Sequence, residues 1–321
     1  MHSEFEGSDL CFNKSRERSV QLISLMNHRI DARQLHERAE VLRALLSPCR
    51  LCPNECNAYR IEGELGRCGV GSNPKIASFG PHFGEERPLV GRLGSGTVFF
   101  SGCNVACVHC QNWEISQRRE GHDLAVTDLA TAFLSLQSTG CHNLNLVTPT
   151  HQAHAIAAAL AIAVESGFCL PVIWNCGGYE SIEALRLFDG IVDIYMPDLK
   201  CGDDATAQRL SGVENYVAIS QAAVHEMHRQ VGNLVLDERG IATRGLLVRH
   251  LVLPHDLAGT EAVVRFLVDE ISIDTYVNLM DQYRPAYRAL AFPDLAQPIT
   301  QDEFARAKAI ATRFGLHRFA R

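Results

Sequence analysis

Long apolar runs are missing from this 321-residue chain. The longest, Ala155–Val164, covers ten residues and is mostly alanine, about half of the ~20 that a membrane-spanning helix needs. A basic surplus is missing too. The net charge is −7 and the pI lies near 6.0, which argues against nucleic acid as the main partner, because phosphate recognition needs clustered Lys and Arg. The opening stretch, MHSEFEGSDLCFNKSRERS, has no basic start followed by an apolar block. No export signal is therefore expected, and the expected location is cytoplasmic. Otherwise the composition, 46% hydrophobic and 21% charged, is that of a globular protein with a sizeable core of its own.

Cysteine is plentiful. Of 12 cysteines, seven fall into two close-spaced groups. In a reducing compartment such groups read as metal ligands rather than disulfides. The other five, Cys11, Cys141, Cys169, Cys176 and Cys201, are scattered and read as small buried hydrophobes.

Periodicity divides the chain into four parts. Residues 1–46 hold a helical segment with Leu35, Ala39, Leu42 and Leu46 at helical spacing, ended by Pro48. Residues 47–93 are rich in Cys, Gly and Pro, with little periodicity, and read as a four-cysteine module held by a metal. Over 94–290, short apolar runs at Thr97–Phe100, Leu144–Thr148, Pro171–Asn175, Ile191–Met196, Leu246–Leu253 and Thr275–Leu279 alternate with helical stretches near 127–137, 152–166, 181–188, 214–230 and 259–270. That alternation predicts a parallel sheet with helical crossovers. Six units in about 190 residues are too few for the usual eight-unit barrel, so an open six-unit barrel or a doubly wound sheet is expected. A hairpin is expected at 234–242. In the 291–321 tail, Thr300 followed by Glu303 forms a capping-box pattern that predicts a C-terminal helix.

Directly after the first of these strands, Cys103, Cys107 and Cys110 form a C-x3-C-x2-C set. Loops at the carboxyl ends of parallel strands are where α/β folds bind ligands. Three thiolates on a cubane [4Fe–4S] cluster leave one iron open to an outside ligand. The other arrangement is zinc held by the three cysteines and His109, which lies between Cys107 and Cys110.

This loop, with Cys110-Gln111-Asn112 at its end, resembles the radical S-adenosylmethionine superfamily, in the branch of the pyruvate formate-lyase activating enzymes. The resemblance covers roughly residues 94–285. It implies α/β architecture as a partial (β/α)6 barrel, a [4Fe–4S] cluster and S-adenosylmethionine as cofactors, and reductive cleavage of the sulfonium to methionine and a 5′-deoxyadenosyl radical. Asn112 belongs to this motif as a cofactor neighbour. After the second strand, Thr148-Pro149-Thr150-His151 stands where the family has Gly-Gly-Glu, which puts Thr148 near the methionine amine. Asn175-Cys176-Gly177-Gly178-Tyr179 is similar to the activases' Asp-Thr-Asn-Gly-Phe, and Asp198-Leu199-Lys200 matches their Asp-x-Lys. Arg249, in the strand running to Pro254, resembles their Arg-x-x-Val-x-Pro arginine and suits a carboxylate fork. Asn175, Asp198, Lys200 and Arg249 are thus implied cofactor contacts.

Cys49, Cys52, Cys56 and Cys68 form C-x2-C-x3-C-x11-C. Four thiolates suit a structural zinc or a second, fully ligated [4Fe–4S] cluster, and spacing does not separate the two. CRLCPNEC, GELGRCG and the segment from Gly80 to Glu86 resemble uncharacterised activating-enzyme-like proteins. The need for cluster-loading machinery leans towards Fe–S.

The resemblance implies a glycyl radical enzyme as protein substrate and a flavodoxin- or ferredoxin-type reductant as partners. The alternatives are radical modification of a peptide or small molecule, or a non-catalytic iron–sulfur carrier or zinc-stabilised interaction module. No general base or second catalytic cysteine declares itself. His82, His142, His151, His154 and His250 read as structural.

Overall fold

The computed structural model describes residues 31–320, so residues 1–30 of the expected N-terminal segment lie outside the described residues. What is described begins with helix α1, Ala32–Ala44. Asp31 caps it, accepting from the Gln34 N–H while the Gln34 side chain returns to the Asp31 N–H. The spacing of Leu35, Ala39 and Leu42 buries one face against the alanine-rich helix Ala153–Glu165. Alanine at nearly every second position of that second helix lets the two axes come close.

Six parallel strands build the sheet: β2 (Ser95–Phe100), β4 (Leu144–Val147), β5 (Val172–Cys176), β6 (Ile194–Pro197), β8 (Ala242–Leu251) and β9 (Tyr276–Met280). They stand side by side in chain order. A two-residue strand, Arg318–Phe319, extends the β9 edge. At the other edge β1 (Lys75–His82) runs antiparallel to β2, with β3 (His122–Asp123) beyond it. The two edges do not pair with each other. The sheet is open, as expected of a partial barrel.

Both faces of the sheet are covered, which is why its strands read as continuous apolar runs. Leu144, Leu146, Val172 and Trp174 point outwards into the main core beneath the helices. Ile173, Ile194, Met196 and Leu247 point inwards and pack on Leu89. Leu89 lies on the single helical turn Arg87–Val90, held at the amino end of β4 by Asn143, whose side-chain amide donates to the Leu89 carbonyl at 2.8 Å.

Several boundaries differ from the expectation. Ile191 and Val192 precede β6 as a buried loop. Helix 260–266 passes into a π turn over Leu267–Ile271. The hairpin at 234–242 is present as Val235–Leu236 pairing with β8, and the C-terminal helix Gln301–Arg313 carries its Thr300/Glu303 capping box. The largest difference is β1. It lies in a stretch expected to be loop, yet joins the main sheet, so residues 75–93 belong structurally with the barrel. Gly80 and Pro81 inside the strand hid its alternation; an edge position tolerates the proline.

Leu42 is fully buried between α1 and the sheet-covering helix. Leu42→Ala should destabilise the protein by about 2–5 kcal/mol, read as a lower melting temperature; an unchanged melt would mean that α1 does not contribute to the core.

Candidate metal centre

The loop after β2 is fixed from three sides. Gly102 stands at φ +82°, and a Cβ there would lie 2.7 Å from the Cys68 carbonyl oxygen, so only glycine lets the two cysteine loops touch. The Ala106 and Val108 amides donate to Ser211 and Leu210 carbonyls at 3.0 and 2.8 Å, at the end of helix Asp204–Ser211. The sulfurs have polar neighbours: the Val105 N–H at 3.4 Å from Cys103 Sγ, Ser211 Oγ at 3.2 Å from Cys107 Sγ, and Ser116 Oγ at 3.1 Å from Cys110 Sγ. Burial pushes the Cys103 and Cys110 thiols up, and Cys107 pushes both further. A cation bound there would reverse this penalty and hold the sulfurs as thiolates.

Among the described residues no three His, Cys, Asp or Glu side chains are arranged around a single-ion position. The fit therefore rests on donor chemistry, and three thiols with no carboxylate among them suit an iron–sulfur cluster. His109, the other candidate ligand, is buried with its Nδ1 free of hydrogen-bond partners. Its ring packs edge-on to Tyr283, and burial lowers its pKa to about 4.

Asn175, Asp198, Lys200 and Arg249 come together at the carboxyl ends of β5, β6 and β8. Lys200 Nζ lies 2.7 Å from Asp198 Oδ2, and Arg249 Nε donates to Asp198 Oδ1 at 2.8 Å. Arg249 also donates to Asn175 Oδ1 at 2.7 Å and reaches Glu85 Oε2 at 3.4 Å. Burial alone would raise Asp198, but Arg249 and Lys200 overcome it and hold the carboxyl at about 2. Burial likewise works against the charge on Lys200, and Asp198 outweighs it. The Lys200 amide donates to Tyr216 Oη, which donates in turn to the Gly177 and Asp198 carbonyls. Lys200 also bears on the cluster loop: a Cβ on Gly177 would lie 3.3 Å from Lys200 Cε and 3.4 Å from Val105 Cγ2. Thr148, just past β4, takes a left-handed φ of 59°, a strain of the kind that persists at ligand sites. Asn112 is exposed and caps the turn Trp113–Ser116 only through its carbonyl; it stands apart from this network.

The four cysteines of the preceding module also converge. A Cβ on Gly66 would meet Cys68 Sγ at 3.3 Å and Cys56 Sγ at 3.5 Å. Arg60, 1% exposed, places Nη1 3.8 Å from Cys49 Sγ and donates to the Gly71 and His151 carbonyls. Burial pushes Cys52 up to about 12. For Cys56, two backbone amides and Arg60 outweigh burial and bring the thiol below its ordinary value. A buried guanidinium among thiols favours their ionised, metal-binding form. The module touches the other loop directly: Asn54 Nδ2 donates to Cys52 Sγ at 3.6 Å and to the carbonyl of Asn104, next to Cys103, at 2.7 Å.

Sequence reasoning missed Arg60, Tyr216, Glu180 and the carboxylate pair Glu85–Glu86. The last lies in a segment singled out only by resemblance. Of the scattered cysteines, Cys141, Cys176 and Cys201 are buried as expected, Cys169 is half-buried, and Cys11 lies outside the described residues.

A family model described as "4Fe-4S single cluster domain" matches residues 91–193, the stretch that holds the three-thiol loop. Over 288 residues the chain is 32% identical to the uncharacterized protein MJ0674 of Methanocaldococcus jannaschii, covering 87% of this chain and 78% of that one; the chain belongs to the family of that protein. It is also 25% identical over 291 residues to MJ0808 of the same organism, covering 82% and 77%. Among solved structures it is similar to the FeFe-hydrogenase maturase HydG from Carboxydothermus hydrogenoformans (TM-score 0.46, 11% identity, 67% of this chain) and to methylornithine synthase, PylB (TM-score 0.47, 13%, 68% of this chain). The match spans about half of that HydG chain, 49%, and 60% of PylB.

Glu180 gives the site a pH signature. Its carboxylate is buried, accepts from Thr150 Oγ1 and Trp174 Nε1, and is raised by burial to about 7. A carboxyl raised above its ordinary 4.5 stabilises the fold below that pH, and the contribution is lost as pH rises through about 7, at up to ~1.4 kcal/mol per pH unit. Glu180→Gln should remove this slope. Compared with wild type, the variant's melting temperature should rise between about pH 5 and about pH 8; a constant difference would show that Glu180 does not titrate there.

Proposed function

We propose that this protein is a radical S-adenosylmethionine enzyme, cytoplasmic, of the activating-enzyme-like kind, acting on a glycyl radical enzyme and drawing electrons from a flavodoxin- or ferredoxin-type donor. The observation that carries the reading is the placement of Cys103, Cys107 and Cys110 in the loop at the end of the first parallel strand, which Lys200 of the Asp198–Arg249 network approaches across Gly177. With the cluster and cofactor bound, the chemistry supplied is one-electron cleavage of the sulfonium C–S bond, giving methionine and a hydrogen-abstracting 5′-deoxyadenosyl radical.

The chain's own residues bind, orient and exclude water. Cys103, Cys107 and Cys110 would hold the cluster, and three thiolates for four irons would leave room for an outside ligand such as the cofactor. Asp198, kept ionised by Arg249 and Lys200, holds those two side chains with its two oxygens and adds negative charge beside a cationic cofactor. Lys200, between Asp198 and the loop, offers a cation to an anionic group there. Arg249 has Nε on Asp198, one Nη on Asn175 and the other Nη reaching Glu85, so it orients that set and keeps only the second N–H of each Nη for the cofactor carboxylate. Thr148, just past β4, is a secondary contact, while Asn112, exposed and apart from the Asp198 network, contributes at most as the neighbour of Cys110 at the end of the loop. Cys49, Cys52, Cys56 and Cys68 hold a second cluster or zinc against the first loop. That direct contact favours an iron–sulfur centre, because a purely structural ion has no need to abut the reactive loop.

Anaerobically reconstituted protein with a strong reductant should convert S-adenosylmethionine to 5′-deoxyadenosine, followed by chromatography. Replacing Cys103, Cys107 and Cys110 together by Ala should abolish the product while leaving the secondary structure intact; full activity in the triple variant would contradict the assignment, and no product from wild type would favour a carrier. Metal analysis of the same variant identifies the other centre. About four irons per chain mean a second cubane and about one zinc a structural site, whereas neither metal would exclude both.

A further inference from the structure

The segment between β1 and the Arg87–Val90 turn crosses the opening of the sheet. It leaves β1 on one edge and delivers Glu85 to Arg249 on β8 and Glu86 to Asn278 on β9, near the other edge. This strap closes the side of the barrel with two consecutive carboxylates.

Glu86 is left half-satisfied. Its Oε1 accepts from Asn278 Nδ2 at 2.7 Å, while Oε2 is buried and has no hydrogen-bond partner. The nearby cations are committed elsewhere: Lys200 to Asp198, and Arg249 to Asp198, Asn175 and Glu85. Three carboxyls thus share two cations: Arg249 acts on Glu86 as well as on Glu85, and burial raises the Glu85 carboxyl. A buried carboxylate oxygen without a donor carries a desolvation penalty that folding alone gives no reason to keep.

A second, separate orphan points the same way. Asn145 is fully buried on β4, and neither its Oδ1 nor its Nδ2 has a partner. Leu144 and Leu146 on either side pack outwards into the main core, so strand alternation turns Asn145 into the barrel interior. Its cross-strand neighbour Ile173 packs on Leu89, one turn beyond Glu86. Glu86 and Asn145 therefore serve one interior.

We propose that this interior is a substrate subsite that takes a protonated amine, with Glu86 as its anionic acceptor and Asn145 supplying an amide oxygen. An ammonium carries three N–H donors and no acceptor, which matches the orphaned Glu86 Oε2 and Asn145 Oδ1; Asn145 Nδ2, a donor, is left for an acceptor elsewhere on the substrate. It also balances the third carboxylate, whereas an anionic group would add to the repulsion. The proposal deepens the radical-enzyme reading by naming the charge class of the substrate group that enters the barrel.

The test uses the full chain, purified anaerobically with its metal content, without reductant or S-adenosylmethionine, so its failure is separate from failure of the radical chemistry. Thermal melts are recorded with n-butylamine and, as the shape-matched anion, butyrate. In wild type the amine should raise the melting temperature by about 2–4 °C at concentrations above its dissociation constant, and butyrate should not. Glu86→Gln, which replaces a buried carboxylate whose second oxygen has no donor, should keep the fold and lose the amine response. Asn145→Leu, which replaces the orphaned amide by a group of similar size, should keep the fold and reduce the response. The proposal is overturned if amine and butyrate act alike, if the amine has no effect on wild type, or if both variants respond as wild type does.

Discussion

Burying thiols without a metal is costly, and this protein buries two sets of them against each other. Burial pushes Cys52, Cys68, Cys103 and Cys110 away from ionisation, and the neighbouring sulfurs push each of them further. A bound cation converts this mutual penalty into ligation. The rest of the arrangement follows from that constraint. Gly102 has no side chain because the Cys68 carbonyl fills its space. Asn54 bridges a thiol of one set to the backbone of the other, and Arg60 is buried where it faces Cys49.

The same economy governs the barrel interior. Arg249 ties β8 to β6 through Asp198, to β5 through Asn175 and to the strap through Glu85. One guanidinium thus links the elements whose strand ends surround the thiol loop. The sheet does not close, and the strap ties the β1 side to β8 and β9 through Glu85 and Glu86. Charge near the reactive loop is set by local pairing, with Asp198 kept ionised and Lys200 kept protonated in spite of burial.

Much of this was legible in the sequence. Short apolar runs alternating with helical stretches located all six parallel strands, because a sheet covered on both faces leaves no polar alternation to confuse the pattern. The cysteine spacings located both thiol sets, and Asp198, Lys200, Asn175 and Arg249 do meet. What was not legible had one physical cause: it depends on contacts between distant segments. Strand β1 contains Gly80 and Pro81 and is a strand only because β2 offers an edge. Glu85 and Glu86 look like a solvated acidic pair until the strap carries them across the opening. Arg249 reads as a free carboxylate binder, yet most of its donors are engaged within the protein. Tyr216 and Glu180 are buried polar groups whose partners lie on other elements.

The central claim is that Cys103, Cys107 and Cys110 hold a [4Fe–4S] cluster with one iron left open to S-adenosylmethionine. Electron paramagnetic resonance of the reduced protein tests it most directly, on a variant with Cys49, Cys52, Cys56 and Cys68 replaced so that any second centre is silent. The account predicts a reduced-cluster signal whose g values shift when S-adenosylmethionine is added. A signal that does not change on addition, or no cluster signal while the protein remains folded, would contradict it.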